Sequence, residues 1–434
     1  MSPRPVLGLL ALVASLGLTR GTSSASGVMP GHGPIEITSP PGAVVAADEA
    51  DLVKLVAQGP EEIWLAAKTY KTNLEIKRRV TLRGMRGATI EGPGHGTVVR
   101  IEADGVVLDN LTVRGSGKNF VGEDAAVRAK GEGIVVRHVS AEDNLFGIAF
   151  EACSKCILED SHVRGPDTHL SMRGDGVKLW EAHDSIVRRN HVERVRDMVV
   201  WYSRRVVCED NVVEHSRYGT HFMYAHDGIA RRSRLLDDVV GVFVMYSSRL
   251  HVEKNVLGGA HGAAGVGLGF KESDGVVVTD NAIVGNTSGV YLDNTPRDPR
   301  EKVVFSGNLI GVNELALRVH GANAGIMFVH NVFRQNADLI EVDGNNDATK
   351  LDFHENQWSD YAGYDLDGNG IGDVPFTWDR LSTAVVQESA SVRFFHGTVA
   401  LQMVDLVAKA FPLLARKPIL VDPRPAMSLK GGPS

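Results

Sequence analysis

This sequence contains few cysteines and few aromatic residues, and its net charge is small for its length. Three cysteines in 434 residues exclude a fold held together by a dense network of disulfides. Aromatic residues make up only 6% of the chain, so its core must consist mainly of aliphatic side chains. The net charge of −7, with both signs interspersed, argues against a nucleic-acid partner, which would favour a basic patch. After the N-terminus, no apolar run is long enough to span a bilayer.

Glycine is abundant, with 47 residues, and much of it belongs to a repeated unit. The unit begins with Gly or a small residue and an apolar–x–apolar triplet, followed by a polar turn and an Asn-like residue. Six consecutive copies of the first half are 176–180, 197–201, 219–223, 241–245, 265–269 and 289–293. The second half falls at Asn110, His138, Ser161, Asn190, Asn211, Ser233, Asn255, Asn281, Asn308, Asn331 and Asn356. A spacing of about 25 residues is typical of a solenoid.

Within each copy the apolar residues alternate, which predicts strands with one buried face. Pairs such as Val242 and Val244, or Val266 and Leu268, are predicted to point inward. A leucine-rich repeat would need a Leu-x-Leu framework and a helical segment, and neither is present. The sequence therefore predicts an all-β fold, a right-handed parallel β-helix of about eleven turns. At one corner the Asn side chains would form a hydrogen-bonded ladder in the left-handed conformation, interrupted at 138, 161 and 233.

The two ends of the chain differ from the repeats. Residues 1–25 have the pattern of a cleaved signal peptide, with Arg4, an apolar stretch and a small-residue cleavage site. Residues 26–378 are predicted to form the β-helix, with a helix over 48–58 covering its N-terminal end. Residues 379–434 are predicted to form a C-terminal capping helix, over 397–411, and a Pro-rich docking tail. This tail contains too much proline to be a central strand.

Two short motifs leave alternatives open. Cys153 and Cys156 are spaced for a small disulfide or for metal binding, whereas Cys208 is predicted to point into the core. Near the C-terminus, Asp365, Asp367, Asn369 and Asp373 match part of a calcium loop that lacks its bidentate Glu. A hydrogen-bonded turn without an ion is the alternative.

Stacked turns bring residues at equivalent repeat positions together on the surface. One predicted column contains Trp180, Trp201, Met223, Met245, Gly269 and Asp293. The next contains Glu181, Tyr202, Tyr224, Tyr246, Phe270 and Asn294, and a third contains His183, Arg204, His226, Ser248, Glu272 and Pro296. Thioether and imidazole ligands suit Cu(I), so Met223, Met245 and His226, helped by His221 or His183, are a candidate copper site. Packing beneath a loop or a partner is the alternative for the two methionines.

Carboxylates on the same surface allow a second interpretation. Parallel β-helices often carry polysaccharide lyases, hydrolases and epimerases, whose acidic and basic residues lie in a groove. The candidates here are Asp175, Lys178, Glu181, Glu272, Asp274 and Asp293. No pair of them stands out at the separation that glycoside cleavage requires. A stack of Trp180 on Trp201 could still bind sugar rings, so a carbohydrate-binding protein or enzyme remains the alternative function.

Several of these segments are similar to those of the NosD family, the accessory proteins of nitrous oxide reductase. They are 221–227, 241–247, 265–274, 289–296, 358–373 and the tail 421–427. The resemblance runs from about residue 40 to 427. The Met-Tyr pairs at 223/224 and 245/246 and the Asp-rich end carry most of it, since Gly/Asn repeats are common to β-helices of the carbohydrate-binding type.

The resemblance implies a periplasmic, non-enzymatic copper-binding protein of denitrification. It implies work with an ABC transporter made of the ATPase NosF and the permease NosY. It also implies that copper comes from the lipoprotein NosL and goes to the nitrous oxide reductase apoprotein. The resemblance further implies that the Met-Tyr pairs and His226 bind Cu(I) and that the protein carries this ion only transiently. It assigns no role to Cys153 and Cys156.

Overall fold

The strands of the chain stack into a parallel β-helix in a computed structural model. The structure describes residues 32–321, 324–343, 348–378, 398–400, 403, 404, 407 and 418–427. The predicted signal peptide, most of the predicted C-terminal helix and the last seven residues lie outside this range. Among the described residues, no helix has the length and apolar character needed to cross a membrane.

Three parallel sheets form the faces of the β-helix in the described residues, and each strand pairs with the equivalent strand of the next turn. The strands of sheet A are Val45–Ala46, Glu62–Leu65, Thr81–Gly84, Val107–Asp109, Val135–Arg137, Ile157–Glu159, Ile186–Arg188, Val207–Glu209, Ile229–Arg231, His251–Glu253, Val277–Thr279, Val303–Ser306, Ile326–Val329 and Asp352–His354. Those of sheet B are Thr69–Lys71, Thr89–Glu91, Thr112–Arg114, Ser140–Glu142, His162–Arg164, His191–Glu193, Val212–Glu214, Arg234–Leu236, Val256–Gly258, Ala282–Val284, Leu309–Gly311, Val332–Arg334 and Gln357–Trp358. Those of sheet C are Leu74–Ile76, Val99–Glu102, Ala125–Glu132, Phe146–Ser154, Val177–Trp180, Asp197–Trp201, Tyr218–Met223, Val240–Met245, Val266–Lys271, Ser288–Asp293, Leu315–Val319 and Asp338–Val342.

The predicted all-β parallel β-helix is confirmed, with about thirteen turns instead of eleven. The sequence predicts the first strands within 63–92, but the count of eleven leaves out the first two turns, which contain Glu62–Leu65 and Thr81–Gly84. They precede Asn110, the first Asn-like residue of the repeat, so a count based on that residue begins too late. A 3-10 helix at Leu170–Met172 interrupts one loop.

A ten-residue helix, α1 (Glu49–Gln58), covers the N-terminal end as predicted. Its N-cap is Asp48, whose side chain accepts a hydrogen bond from the Asp51 N–H, and its C-cap is Gly59. Leu52 and Val56 lie on its buried face and join the core. The helix thus covers apolar side chains that the first turn would otherwise expose.

The predicted alignment of the copy at 265–269 is wrong by two residues. Val242 pairs with Leu268 and Val244 pairs with Phe270, so these four side chains point inward. Val266, predicted to point inward, lies outside the core. Phe270, predicted on the surface, is fully buried. The alignment error arises because this repeat has three possible starting glycines, at 265, 267 and 269.

The predicted Asn ladder exists, but its conformation differs from the prediction. The side-chain oxygens of Asn281 and Asn308 accept hydrogen bonds from the backbone N–H of Asn255 and Asn281, respectively, each at 2.9 Å. Asn110 and His138 adopt positive φ as predicted, but from Ser161 onward the left-handed conformation belongs to the preceding residue, such as Lys254 or Asp280. In these later turns the ladder residue therefore does not occupy the left-handed position itself.

The ladder also continues where an interruption was predicted. Ser161 Oγ accepts from the Val139 N–H at 3.1 Å, and Ser233 Oγ accepts from the Asn211 N–H at 3.2 Å. A hydroxyl oxygen replaces the amide oxygen as acceptor, so only the amide donor is lost. His138 does not take part in this chain; its ring contacts Asp109 at 3.1 Å.

A second ladder, which the spacing of the repeats does not predict, lies at another corner. Asn286 accepts from the Ala260 N–H, and Asn313 accepts from the Asn286 N–H. Two turns before Asn286, the equivalent position holds Asp238, which accepts from the Ser216 N–H at 2.8 Å. Burial raises the pKa of Asp238 well above its usual value.

We expect Asp238→Asn to stabilise the protein by about 1 kcal/mol at pH 7. The folded-state pKa is raised, so both states are protonated below the unfolded pKa and no penalty applies there. As the pH rises above about 4, the unfolded carboxyl ionises while the folded one resists, so wild-type stability falls. Urea unfolding at pH 4 and pH 7 measures this: the gain should be present at pH 7 and shrink towards pH 4. An equal gain at both values would contradict the explanation.

The C-terminal segment completes the β-helix. Leu420–Asp422 pairs antiparallel with Phe376–Trp378, so the Pro-rich tail forms a short edge strand. Asp422 is fully buried and accepts from the Asn356 N–H and side-chain amide and from Trp358 Nε1, at 3.0 to 3.2 Å. The carboxylate thus occupies the place of the next ladder Asn. The described part of the tail, predicted as a docking element, packs on its own chain.

The cysteines have structural positions. Cys153 and Cys156 are buried and form a disulfide, the first of the two alternatives left open. Cys208 is buried as predicted, and burial raises the pKa of its thiol to about 12. At neutral pH this thiol stays protonated, which makes it a poor nucleophile and a poor metal ligand.

Candidate functional site

The outer face of sheet C brings the two predicted methionines side by side. Met223 and Met245 end adjacent strands and are partners in the pairing, so their backbones lie about 4.8 Å apart. Both side chains are only partly buried. In the same column, Trp201 precedes Met223 and Lys271 follows Met245. The column predicted at this point is confirmed except for Gly269, whose place Lys271 takes.

Stacked aromatic rings flank the methionines at the corner that follows sheet C. Tyr224 stacks on Tyr202 at 5.0 Å and on Tyr246 at 4.9 Å between ring centres. The series continues through Trp201 to Trp180, with spacings of 5.6 and 5.9 Å. All three tyrosines adopt positive φ. The rings therefore form an aromatic border on one side of the methionine pair. Glu272, not Phe270, continues the tyrosine column, because Met245 pairs with Lys271.

His226 lies just beyond this corner, three residues after Met223. It is partly buried, and its Nδ1 lies 2.8 Å from Ser248 Oγ in the next turn. Burial, followed by the charges of Arg204 and Arg249, lowers the pKa of His226. The ring is therefore neutral at pH 7, which is the form that binds metals.

His183 belongs to the same column as His226 but lies two turns away. The backbone bridges run from Arg204 to His226, Ser248 and Asp274, so the predicted Glu272 is replaced by Asp274 here. His183 Nδ1 accepts from the Arg204 N–H at 3.2 Å. Two turns correspond to roughly 10 Å, so His183 is farther from Met223 than His226 is.

His221 shares a strand with Met223 and faces the same side of sheet C, because the two residues are two positions apart. It is buried under neighbouring side chains, with Nδ1 at 3.3 Å from Asp197 and the ring edge against Tyr218 at 4.8 Å. Although burial opposes ionisation, hydrogen bonds from Arg217 and His221 lower the pKa of Asp197. His221 is thus next to the methionines but more enclosed than His226.

The polar residues considered for polysaccharide chemistry are mostly engaged in ion pairs. Arg196 binds Asp175 with two hydrogen bonds of 2.8 and 2.9 Å, and both Asp175 and Lys178 are buried. Lys178 Nζ lies 2.6 Å from Glu123. Lys271 likewise lies 3.0 Å from Asp293. Asp175, Lys178 and Asp293 are therefore each held in an ion pair on or beside the outer face of sheet C.

The Asp-rich loop forms a compact hydrogen-bonded turn. Asp365 accepts from the N–H groups of Gly368 and Gly370 at 2.7 and 2.8 Å, and the bond from Gly370 lowers the pKa of Asp365. Asp373 accepts from the Leu366 N–H at 2.7 Å. Asn369 donates to Asp367 at 2.8 Å. Backbone donors account for this arrangement, and calcium binding at these four residues stays a prediction.

One further group of potential ligands lies on a different sheet. In the part of the chain that the structure describes, a single set of three His, Cys, Asp or Glu side chains approaches within 4.8 Å: His162, His191 and Glu193. The sequence indicates this pair, because His162 and His191 occupy equivalent positions in successive repeats. The repeat spacing does not predict the position of a third histidine, His32, which packs beside His191.

Comparisons with known proteins agree with the resemblance seen in the sequence. The model of a family described as periplasmic copper-binding protein (NosD) matches residues 160–369. A Pseudomonas aeruginosa protein named probable ABC transporter binding protein NosD is 27% identical over 416 residues, 89% of this chain and 93% of that protein. A Stutzerimonas stutzeri protein of the same name is 24% identical over 89% of this chain and 92% of its own length.

Solved structures share the fold at low identity. The A-module of the Azotobacter vinelandii mannuronan C-5 epimerase AlgE6 has a TM-score of 0.52 at 14% identity, covering 72% of this chain and 94% of that one. The catalytic unit of an α-1,3-glucanase from Streptomyces thermodiastaticus has a TM-score of 0.59 at 14% identity, covering 76% and 70%. At this identity the likeness is one of fold alone. The sequence matches confirm the resemblance to the NosD family.

Proposed function

We propose that this relative of the NosD proteins is a periplasmic copper carrier that helps to mature nitrous oxide reductase without catalytic turnover. The observation that supports the proposal is the pairing of Met223 with Met245 on a partly exposed surface. Two thioethers and a nearby neutral imidazole make a soft ligand set, which favours Cu(I) over harder ions. The description of the matching family as copper-binding points the same way.

In this proposal Met223, Met245 and His226 bind the ion, and His221 or His183 assists. The two sulfurs approach from adjacent strands, and the imidazole approaches from across the corner. The tyrosine stack keeps the backbone of this corner in place, so the protein does not have to reorganise when copper arrives. Three ligands at a partly exposed surface bind copper without enclosing it, which suits a protein that must pass its ion on.

Competition titration tests the proposal. A coloured Cu(I) chelator is titrated with the protein under reducing, oxygen-free conditions, and the loss of absorbance reports transfer of copper to the protein. The expected result is that each chain takes at least one Cu(I) ion from the chelator. A protein that leaves the absorbance unchanged would contradict the proposal.

The partners follow from the resemblance and are part of the proposal: the ATPase NosF, the permease NosY, the donor lipoprotein NosL and the reductase apoprotein. The names of the two relatives associate them with an ABC transporter. The C-terminal end of the β-helix is the proposed docking site on the transporter. Val421 and Met427 are exposed there, next to the buried Asp422. Co-purification of the permease with a Val421→Asp, Met427→Asp variant that folds normally would contradict this placement.

A carbohydrate-binding or polysaccharide-active protein is the second candidate. The stacked Trp180 and Trp201 favour it, because exposed aromatic rings bind sugar faces. The ion pairs of Asp175 and Lys178 count against an enzyme. Incubation with alginate separates the two functions, since a lyase creates a double bond that absorbs ultraviolet light. An epimerase would change the uronate composition instead.

A further inference from the structure

His162 and His191 occupy the same position of successive turns in sheet B. They are directly paired in the strand register, and each is more than nine-tenths buried. Their imidazole rings stack with 5.0 Å between centres. Both rings face outward from sheet B, because the adjacent Val163 and Val192 belong to the core, yet both rings are buried, so their polar edges are shielded from water.

Carboxylates fix the orientation of both rings in the same way. His162 Nε2 lies 3.0 Å from Glu193, one turn further on, and His191 Nε2 lies 3.0 Å from Glu214, again one turn further on. The hydrogen bond from His162 lowers the pKa of Glu193, and that from His191 lowers the pKa of Glu214, so both carboxylates are ionised. An ionised carboxylate accepts the Nε2 proton, so the tautomer of the neutral ring that fits this contact has its lone pair on Nδ1.

Both Nδ1 atoms are buried, and neither has a hydrogen-bond partner in the described protein. Because the two rings make the same contact with the next turn, their Nδ1 atoms lie on the same edge of the stack. A metal-binding histidine typically donates its other ring N–H to a carboxylate, as both rings do here. The pair thus has the arrangement of two metal ligands with their supporting groups.

A third imidazole comes from the segment that precedes the β-helix. Gly33 donates its N–H to the Asp160 carbonyl at 2.8 Å, which places His32 beside the pair. The His32 ring centre lies 6.0 Å from that of His191, and His32 Nδ1 is also buried without a partner. Burial, followed by the proximity of His191, lowers the pKa of His32, so this ring is neutral at pH 7.

We propose that His32, His162 and His191 form a metal site, in which three Nδ1 atoms bind one borderline transition-metal ion of the zinc and copper class. The ligand atoms of His162, His191 and Glu193 lie within 4.8 Å of one another, and the His32 ring, whose centre is 6.0 Å from that of His191, would have to turn towards the ion for its Nδ1 to bind. Neutral imidazole suits both metals. The site lies on sheet B, whereas the methionine pair lies on sheet C, so it does not depend on the proposed copper-carrier site.

The ion would also have a structural effect. His32 is far from the other two ligands in sequence, so the ion would fasten the N-terminal segment to the side of the β-helix. Binding to the folded state alone should then raise the thermal stability, with the logarithm of the free metal concentration once the site is saturated. The neighbouring contact between Asn110 Nδ2 and the Ile35 carbonyl, at 3.0 Å, already guides this segment into position.

The test uses the full chain without an affinity tag, in the Met223→Ala, Met245→Ala background. After treatment with a chelator, the protein is titrated separately with Zn²⁺ and with Cu²⁺. We expect one ion per chain, a higher melting temperature with metal, and nitrogen hyperfine splitting in the electron paramagnetic resonance spectrum of the copper form. The tighter of the two metals identifies the ion preferred by the site.

Three variants sharpen the result. His32→Ala changes a partly buried residue outside the sheets and should abolish the stoichiometric binding while the metal-free melting temperature stays unchanged. Glu193→Gln should weaken binding by about 10- to 100-fold, because it changes only the support of His162. His95→Ala, at an exposed loop, is the control and should bind as the background does. Unchanged binding in His32→Ala, or no stoichiometric binding in the background protein, would overturn the proposal.

Discussion

Replacing both Met223 and Met245 with alanine is expected to weaken Cu(I) binding by at least about 100-fold, because two of the three proposed ligands are lost. Each single variant should fall between the double variant and the wild type, since one thioether and His226 remain. Both methionines are partly exposed at strand ends, so their removal leaves little cavity and should change stability only slightly. Chelator competition on the purified proteins measures the affinities.

Met172→Ala provides the matched control. Met172 is 57% exposed and lies in the 3-10 turn Leu170–Met172, outside the sheet C column, so its loss should leave the affinity unchanged. Equal Cu(I) affinity in the wild type and the double variant would exclude the methionine pair as the copper site. A loss that is just as large in Met172→Ala would show that thioethers act nonspecifically.

Replacing Asp422 with alanine is expected to destabilise the protein by at least about 3 kcal/mol. The carboxylate accepts from the Asn356 N–H, the Asn356 side chain and Trp358 Nε1, and each buried donor left without a partner costs about 1–3 kcal/mol. These donors end the Asn ladder and the last turn, so the damage should begin at the C-terminal end of the β-helix. Urea unfolding measures the loss, and hydrogen exchange locates it.

Val421→Ala is the control for this variant. Val421 belongs to the same strand, Leu420–Asp422, but is 43% exposed, so its substitution should change stability by less than about 0.5 kcal/mol. If Asp422→Ala were as stable as Val421→Ala, the carboxylate would not be the structural end of the ladder. Loss of protection confined to the N-terminal turns would contradict the predicted location.

Much of the fold follows from the sequence because each turn repeats the same local pattern. The alternation of Val242 and Val244 fixes which face is buried, and the same pattern places Met223 beside Met245. In the glycine-rich repeat at 265–269 this alternation does not determine the alignment with the neighbouring turns. Three glycines at alternate positions give no side chain by which to choose the alignment, and only the packing of Phe270 in the core selects it.

Other features depend on contacts that no local pattern encodes. The first two turns lack the Asn of the later repeats, so they look unlike the rest although they stack in the same way. Asp422 takes the place of a ladder Asn from 66 residues away, and His32 reaches His191 from before the first strand. Such contacts are set by where the chain ends fold back on the β-helix, which periodicity does not describe.

X-ray absorption spectroscopy at the copper edge gives the most direct test of the proposed Cu(I) site. The sample is the His32→Ala variant, which removes the proposed imidazole site, loaded with one equivalent of Cu(I). The account predicts sulfur scatterers together with nitrogen in the first coordination shell, and loss of the sulfur in the added Met223→Ala, Met245→Ala background. A first shell of nitrogen and oxygen alone would contradict it.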